Sequence, residues 1–271
     1  MATAYLQPGD EAIHTEHGFL VYKLASQATG ARPVSVAETN LTADVDAILE
    51  AVTSKTKIVF LANPNNPTGT MIPASEVRRL HAGLHDNVLL VLDGAYAEYV
   101  GIADYEDGFG LVEETQNVVT TRTFSKIYGL AALRLGWAYC PAPIAAVINR
   151  LRGPFNVSTP AQLAGIAAIE DQAHVEASIK HNDVWRDRLF QQISGAGFKV
   201  FPSHANFLLI KFDSENGLSA SQAEQKLNER GLILRGLTAY GLPDALRLTI
   251  GTEEANELVA NVFLEMAENN G

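Results

Sequence analysis

The chain has 271 residues, 47% of them hydrophobic and 19% charged, which is an ordinary globular composition with room for a large core and for two domains. The formal net charge of −11 excludes a general affinity for nucleic acid or for an anionic membrane surface, so an anionic substrate would have to meet a local cluster of arginines. One cysteine, Cys140, excludes an internal disulfide and a cysteine-based zinc site, and no metal is expected.

Residues 2–6 read as the tail of a helix and Gln7-Pro8-Gly9-Asp10 as a turn. Residues 1–10 lack the basic and apolar regions of a signal peptide, and no window is apolar over eighteen residues, so a cytoplasmic chain without a membrane helix is expected. A short strand over 11–15 leads to His17-Gly18-Phe19 and a helix to about residue 29. A strand over 32–36 follows. Val45, Ile48, Leu49 and Val52 then fall at helical spacing, which predicts a helix over 44–53 with Asp44 and Asp46 in its first turn. The apolar run 58–62 ends in Asn63-Pro64-Asn65-Asn66-Pro67-Thr68-Gly69, and Val77, Leu80, His81 and Leu84 place a helix over 74–84. The apolar run 88–92 ends in Asp93, with Tyr96 three residues on. Residues 103–110 are acidic and contain glycine, so they read as a surface loop. Strands are predicted over 118–122 and 133–140, and Pro141 and Pro143 open a helix to about residue 152 that Gly153-Pro154-Phe155-Asn156 breaks. Helices over 159–171 and 174–195 carry the chain into a second unit with strands over 206–212, 232–235 and 246–250 and helices over 219–229 and 253–267. Alternating strands and helices predict an α/β fold: a mostly parallel sheet sandwiched by helices over residues 1–190, then a smaller α+β domain over 191–271.

Unbroken apolar runs such as 58–62 and 88–92 suit strands buried on both faces, and ligands of open α/β sheets sit beyond the carboxyl ends of such strands. Three strands thus deliver Asn66, Asp93 with Tyr96, and Lys126 to one edge. Each is ordinary alone: Asp93 could cap a turn, the Asn-Pro-rich loop could be a plain turn, and a strand-end lysine is commonly a solvated residue. Their order is more telling. The stretch Thr123-Phe124-Ser125-Lys126-Ile127-Tyr128-Gly129-Leu130-Ala131-Ala132-Leu133-Arg134 puts two hydroxyls just before a lysine and a guanidinium eight residues after it. Hydroxyls and a guanidinium suit a phosphate, and a lysine amine condenses with an aldehyde. Pyridoxal 5′-phosphate carries both groups on one ring.

These residues, with His17-Gly18-Phe19 and Leu246-Arg247-Leu248-Thr249-Ile250-Gly251-Thr252, resemble the fold-type I pyridoxal-phosphate aminotransferases, and among them the histidinol-phosphate aminotransferases. The resemblance runs over nearly the whole chain. It implies that Lys126 holds the cofactor covalently and then serves as the base, that Asp93 faces the pyridine nitrogen, and that Phe19 stacks on the ring. It implies further that Asn66 and Tyr96 hydrogen-bond the phenolic oxygen, that Thr123, Ser125 and Arg134 bind the phosphate, and that Arg247 and Arg235 receive the anionic end of the substrate. Histidinol phosphate as amino donor, 2-oxoglutarate as acceptor and a homodimer are the implied partners. The family's N-terminal quarter, including a glycine-containing turn at the cofactor phosphate, precedes the segment matched here; Pro8-Gly9-Asp10-Glu11 is not that turn. Two alternatives stay open on sequence alone. One is another activity of the same scaffold, an aromatic aminotransferase or a phosphothreonine-type decarboxylase. The other is a non-catalytic homologue.

Overall fold

The computed structural model describes residues 1–213 and 217–268. Eight strands precede residue 140: β1 (Glu11–Thr15), β2 (Arg32–Val36), β3 (Glu38–Thr39), β4 (Thr42–Ala43), β5 (Thr56–Ala62), β6 (Leu89–Asp93), β7 (Val118–Thr123) and β8 (Gly136–Tyr139). Six of them form one sheet in the order β2-β1-β5-β6-β7-β8, and β3 and β4 pair separately as a hairpin. Every pairing in the large sheet is parallel except that of β7 with β8.

Alternation along these strands sorts the apolar residues to two faces. Ile13, Val59, Leu61, Leu90, Leu92 and Val118 pack beneath α3 (Val45–Glu50), α4 (Ala74–Gly83) and α5 (Phe109–Glu114). Their sequence neighbours Ala12, Ile58, Phe60, Leu89, Val91 and Val119 point the other way, against α1 (Ala2–Tyr5), α2 (Leu20–Ala28) and α6 (Ala142–Leu151). A sheet covered on both sides needs apolar residues at consecutive positions, which is why β5 and β6 carry no alternating pattern.

After α7 (Thr159–Glu170), the long helix α8 (Gln172–Gly195) runs from one core to the next. Val175 packs with Tyr96, Ile127 and Phe207, whereas Trp185, Leu189 and Ile193 enter a separate core with Leu208, Ile210, Leu246, Leu248 and Phe263. That second core belongs to an antiparallel sheet of β9 (Lys199–Phe201), β10 (Phe207–Lys211), β11 (Arg235–Leu237) and β12 (Leu242–Thr249), in the order β11-β12-β10-β9. α9 (Ala220–Glu229) and α10 (Glu253–Glu268) cover it. Ser219 and Gln222 close a reciprocal capping box at the start of α9.

The structure departs from the sequence reading in several places. Residues 103–110 are not a plain surface loop. The Tyr105 hydroxyl donates to the Asn63 carbonyl at 2.7 Å, and the Asp107 carbonyl accepts from Thr120 and Arg122. Gly108, left-handed at φ 89°, then opens α5, and a Cβ there would lie 2.8 Å from Thr120. The strand expected over 232–235 begins only at Arg235, because the Leu232 amide still donates to the Leu227 carbonyl as α9 unwinds. The strand expected from residue 133 begins at Gly136, because Ala131–Leu133 form a short 3₁₀ turn and Arg134 adopts the left-handed conformation. Asp44 is the N-cap of α3, its carboxylate accepting from the Ala47 amide, rather than a first-turn residue.

Candidate active site

Register alone brings the three strand ends together: Ala62 pairs with Asp93 and Asp93 with Thr121, so β5, β6 and β7 finish on one edge. Phe19, Asn66, Asp93, Tyr96, Thr123, Ser125, Lys126 and Arg134 all line a single cavity of about 340 Å³ there. Tyr22 and Arg122, which the sequence reading passed over, line it as well.

Asp93 is held on both oxygens. The Tyr22 hydroxyl donates to Oδ2 at 2.6 Å and the Ala95 amide to Oδ1 at 3.1 Å. Burial pushes the Asp93 carboxyl above the ordinary carboxylate range, and these donors pull it back. The Tyr22 phenol is driven well above its usual range by burial and by the adjacent carboxylate, so it stays a hydrogen-bond donor.

Lys126 is held differently. Its amine sits 5.2 Å from the centre of the Tyr96 ring. Burial, reinforced by the positive charge of Arg247, lowers its pKa, while Asp93 opposes that shift. A lysine shifted this way offers more free amine near neutrality, the form that attacks a carbonyl. Burial pushes the Tyr96 phenol up to about 12, so it remains protonated.

The two adjacent asparagines of the β5 loop serve different ends. Asn65 is buried and its amide donates to the Thr68 hydroxyl at 3.0 Å, holding the loop in shape. Asn63 exchanges two hydrogen bonds with the backbone of Ile72, each 3.0 Å. With its neighbours tied down, Asn66 is free to line the cavity, where its side-chain oxygen accepts from Nη1 of Arg247 on β12. The Arg247 guanidinium lies 4.8 Å over the Phe207 ring, and its Nε is buried without a protein partner. Arg247 does not itself line the cavity and meets it through Asn66.

On the opposite side, Thr123 Oγ1 accepts from the Ser125 amide at 3.0 Å, so the two hydroxyls share one tight turn. Arg134, left-handed at φ 54°, donates to the Ala131 carbonyl at 2.8 Å and lines the cavity from this turn. Arg235 stands apart. It is exposed at the start of β11, directly across from Arg247, and does not line the cavity. His17, read from sequence as a loop residue, is buried, and its Nδ1 donates to the Tyr240 carbonyl at 2.8 Å. Tyr22 was detectable in principle, because it lies three residues after Phe19 and so shares its face of α2. Arg122 is committed to the protein: it donates to Thr120 Oγ1 at 2.8 Å and to the Asp107 carbonyl at 2.9 Å.

Comparison with known proteins decides the family. The aminotransferase class I and II family matches residues 1–263. The chain belongs to that family. It is an enzyme, a pyridoxal 5′-phosphate-dependent aminotransferase. It is 60% identical over 265 residues to the histidinol-phosphate aminotransferase of Rhodopseudomonas palustris (strain BisA53), covering 98% of this chain and 73% of that protein. It is 58% identical over 261 residues to that of Nitrobacter winogradskyi, covering 96% and 72%. The crystal structure of histidinol-phosphate aminotransferase from Sinorhizobium meliloti in complex with pyridoxal 5′-phosphate superposes with a TM-score of 0.90 at 26% identity, over all of this chain and 73% of that one. The donor set fits the family cofactor: an amine with a lowered pKa for the aldehyde, a carboxylate for a pyridinium, and two hydroxyls with a guanidinium for a phosphate. Among the described residues no helix is long and apolar enough to cross a membrane.

Proposed function

We propose that the chain transfers the amino group of histidinol phosphate to 2-oxoglutarate, a step of histidine biosynthesis. The observation that carries this reading is the 60% identity to a histidinol-phosphate aminotransferase across 98% of the chain, a span that includes every residue of the cavity.

Pyridoxal 5′-phosphate supplies the aldehyde and the electron sink. In our reading Lys126 would hold that aldehyde, and its amine would serve as the base that moves the substrate Cα proton; its lowered pKa suits both tasks. Asp93 would hold the ring nitrogen and favour its protonated form, Asn66 and Tyr96 would hold the phenolic oxygen, and Phe19 would pack on the ring. Thr123, Ser125 and Arg134 would hold the phosphate. Arg247, which reaches the cavity through Asn66, would bind the anionic end of donor or acceptor, and Arg235, across the strand pair, would extend the positive field toward solvent. The division into a large domain over 1–190 and a small one over 191–271 belongs to this reading, supported by the change of core along α8. So does a homodimer in the cytoplasm, to which the exposed Leu163, Ile166 and Ile169 of α7 and the exposed Phe155 lend an apolar surface.

Purified chain with added cofactor tests it. Glutamate should form from 2-oxoglutarate with histidinol phosphate and much more slowly with phenylalanine or tyrosine. Borohydride reduction followed by peptide mapping should label Lys126. Faster turnover of an aromatic amino acid would overturn the substrate assignment, and label on another lysine would overturn the role of Lys126.

A further inference from the structure

With Asp93 given to the ring nitrogen, Tyr22 is left without a task, although it is among the most tightly held side chains of the site. Its ring lies flat on Phe60 of β5, with centroids 4.9 Å apart and planes 2° from parallel. Phe19 meets it edge-on at 5.8 Å. Its own amide donates to the Phe19 carbonyl at 3.0 Å, and its carbonyl accepts from Ser26 Oγ at 2.7 Å, so the first turns of α2 are tied down around it. The side chain is 7% exposed. This rigid phenol spends its one O–H on a single acceptor, Asp93 Oδ2, at 2.6 Å.

We propose, resting on the assignment of Asp93 to the cofactor ring nitrogen, that Tyr22 is a positioning residue of the reaction: its hydroxyl fixes the orientation of the Asp93 carboxylate and favours its ionised form. Three features support this. A carboxylate on a strand end has a soft terminal torsion, and donors on both oxygens remove that freedom. Burial disfavours the Asp93 charge, and the Tyr22 hydrogen bond is the first of the interactions that restore it. The phenol cannot compete for the role of acid, because its surroundings hold it far above its ordinary range. The same side chain buttresses Phe19, so one helix face sets both the group beside the ring nitrogen and the aromatic that covers the ring.

A double-mutant cycle with Tyr22→Phe and Asp93→Asn separates this from a packing role, since Tyr22→Phe keeps the ring stack and removes only the hydroxyl. The quantity measured is the dissociation constant of pyridoxal 5′-phosphate, by equilibrium titration of all four proteins, with melting of the cofactor-free forms to show that each folds. Tyr22→Phe should weaken binding about ten-fold in the wild-type background, the low end of what a hydrogen bond to a charged group contributes, and should leave binding unchanged within about two-fold in the Asp93→Asn background. Phe60→Leu is the comparison variant. It loosens the stack but leaves the hydroxyl, and its effect on binding should be the same in the wild-type and Asp93→Asn backgrounds. Equal effects of Tyr22→Phe in both backgrounds, or no effect in either, would overturn the inference while leaving the role of Asp93 standing. If Asp93→Asn alone leaves cofactor binding unaltered, both the inference and the assignment beneath it fall.

Discussion

Replacing Asp93 by Asn separates a catalytic carboxylate from a structural one. The two side chains have the same shape, so the perturbation is the loss of a charge and of one acceptor. Asp93 accepts from Tyr22 at 2.6 Å and from the Ala95 amide at 3.1 Å. Asparagine can keep one of these bonds through Oδ1, and the other donor loses its acceptor, at a cost of about 1 kcal/mol. Against that, burial already disfavours the charge at this position, so its removal returns stability. The net change in the cofactor-free protein should be within about 1 kcal/mol. Catalysis should behave very differently, because a neutral amide gives a ring nitrogen no reason to stay protonated. Turnover is expected to fall by about 10²–10⁴, or about 3–5 kcal/mol of barrier at roughly 1.36 kcal/mol per decade. Denaturant unfolding of the cofactor-free chains and steady-state turnover of the loaded ones supply the two readouts. A variant that unfolds several kcal/mol more easily and loses activity only in proportion would show that Asp93 is a cap at the end of β6. So would near wild-type turnover.

Arg247→Lys should raise the KM for 2-oxoglutarate about ten- to a hundred-fold, since an ammonium cannot replace a guanidinium shared between Asn66 and an anion, while Arg235→Ala should cost less because that residue is exposed; the reverse ranking would reassign the anion site. Gly69→Ala should destabilise the cofactor-free protein by about 2–4 kcal/mol in denaturant unfolding, because φ is +75° and the new Cβ would lie 2.3 Å from Ser203 Oγ and 2.7 Å from Ser203 Cβ; a neutral result would mean that the loop moves freely past the second sheet. Burial raises the Glu98 carboxyl, so the folded state binds its proton more tightly than the unfolded state does, and the corresponding stability is present below the unfolded value and lost as pH rises through the folded one. Glu98→Gln should therefore gain on wild type as pH rises above the ordinary carboxylate range in melts of the cofactor-free forms, and a difference independent of pH would refute the assignment.

The candidate site at the sheet edge was legible because the physics that buries β5 and β6 on both faces also makes their polar ends conspicuous. Asp93 stands directly after one apolar run, Asn66 in the loop that follows another, and Lys126 three residues past the end of β7, and parallel register does the rest. Tyr22 was hidden for the opposite reason. A tyrosine on the apolar face of a helix reads as core, and its bond to Asp93 spans 71 positions that no local pattern records. Arg235 was placed inside a strand that in fact starts there, because three residues before it are still leaving α9. The β3–β4 hairpin escaped notice as two strands of two residues each, too short to show a period.

That hairpin has a consequence for how the protein can change. Its tip, Leu41, packs against the antiparallel sheet beside Leu209, Leu237 and Leu242, and the Leu41 carbonyl accepts from the hydroxyl of Thr70 just past the Asn66 loop at 2.6 Å. The His204 amide donates to the Gly69 carbonyl of the same loop at 2.8 Å. The antiparallel sheet is therefore docked onto the Asn66 loop, whereas Tyr22 and Asp93 lie on α2 and β6 and take their hydrogen bonds within the large sheet's own layers. On the proposed assignment, substitutions on β11, such as at Arg235, would alter the reach of the anion site without touching Tyr22 or Asp93. New substrates can be sampled on one sheet while the shared chemistry is kept on the other.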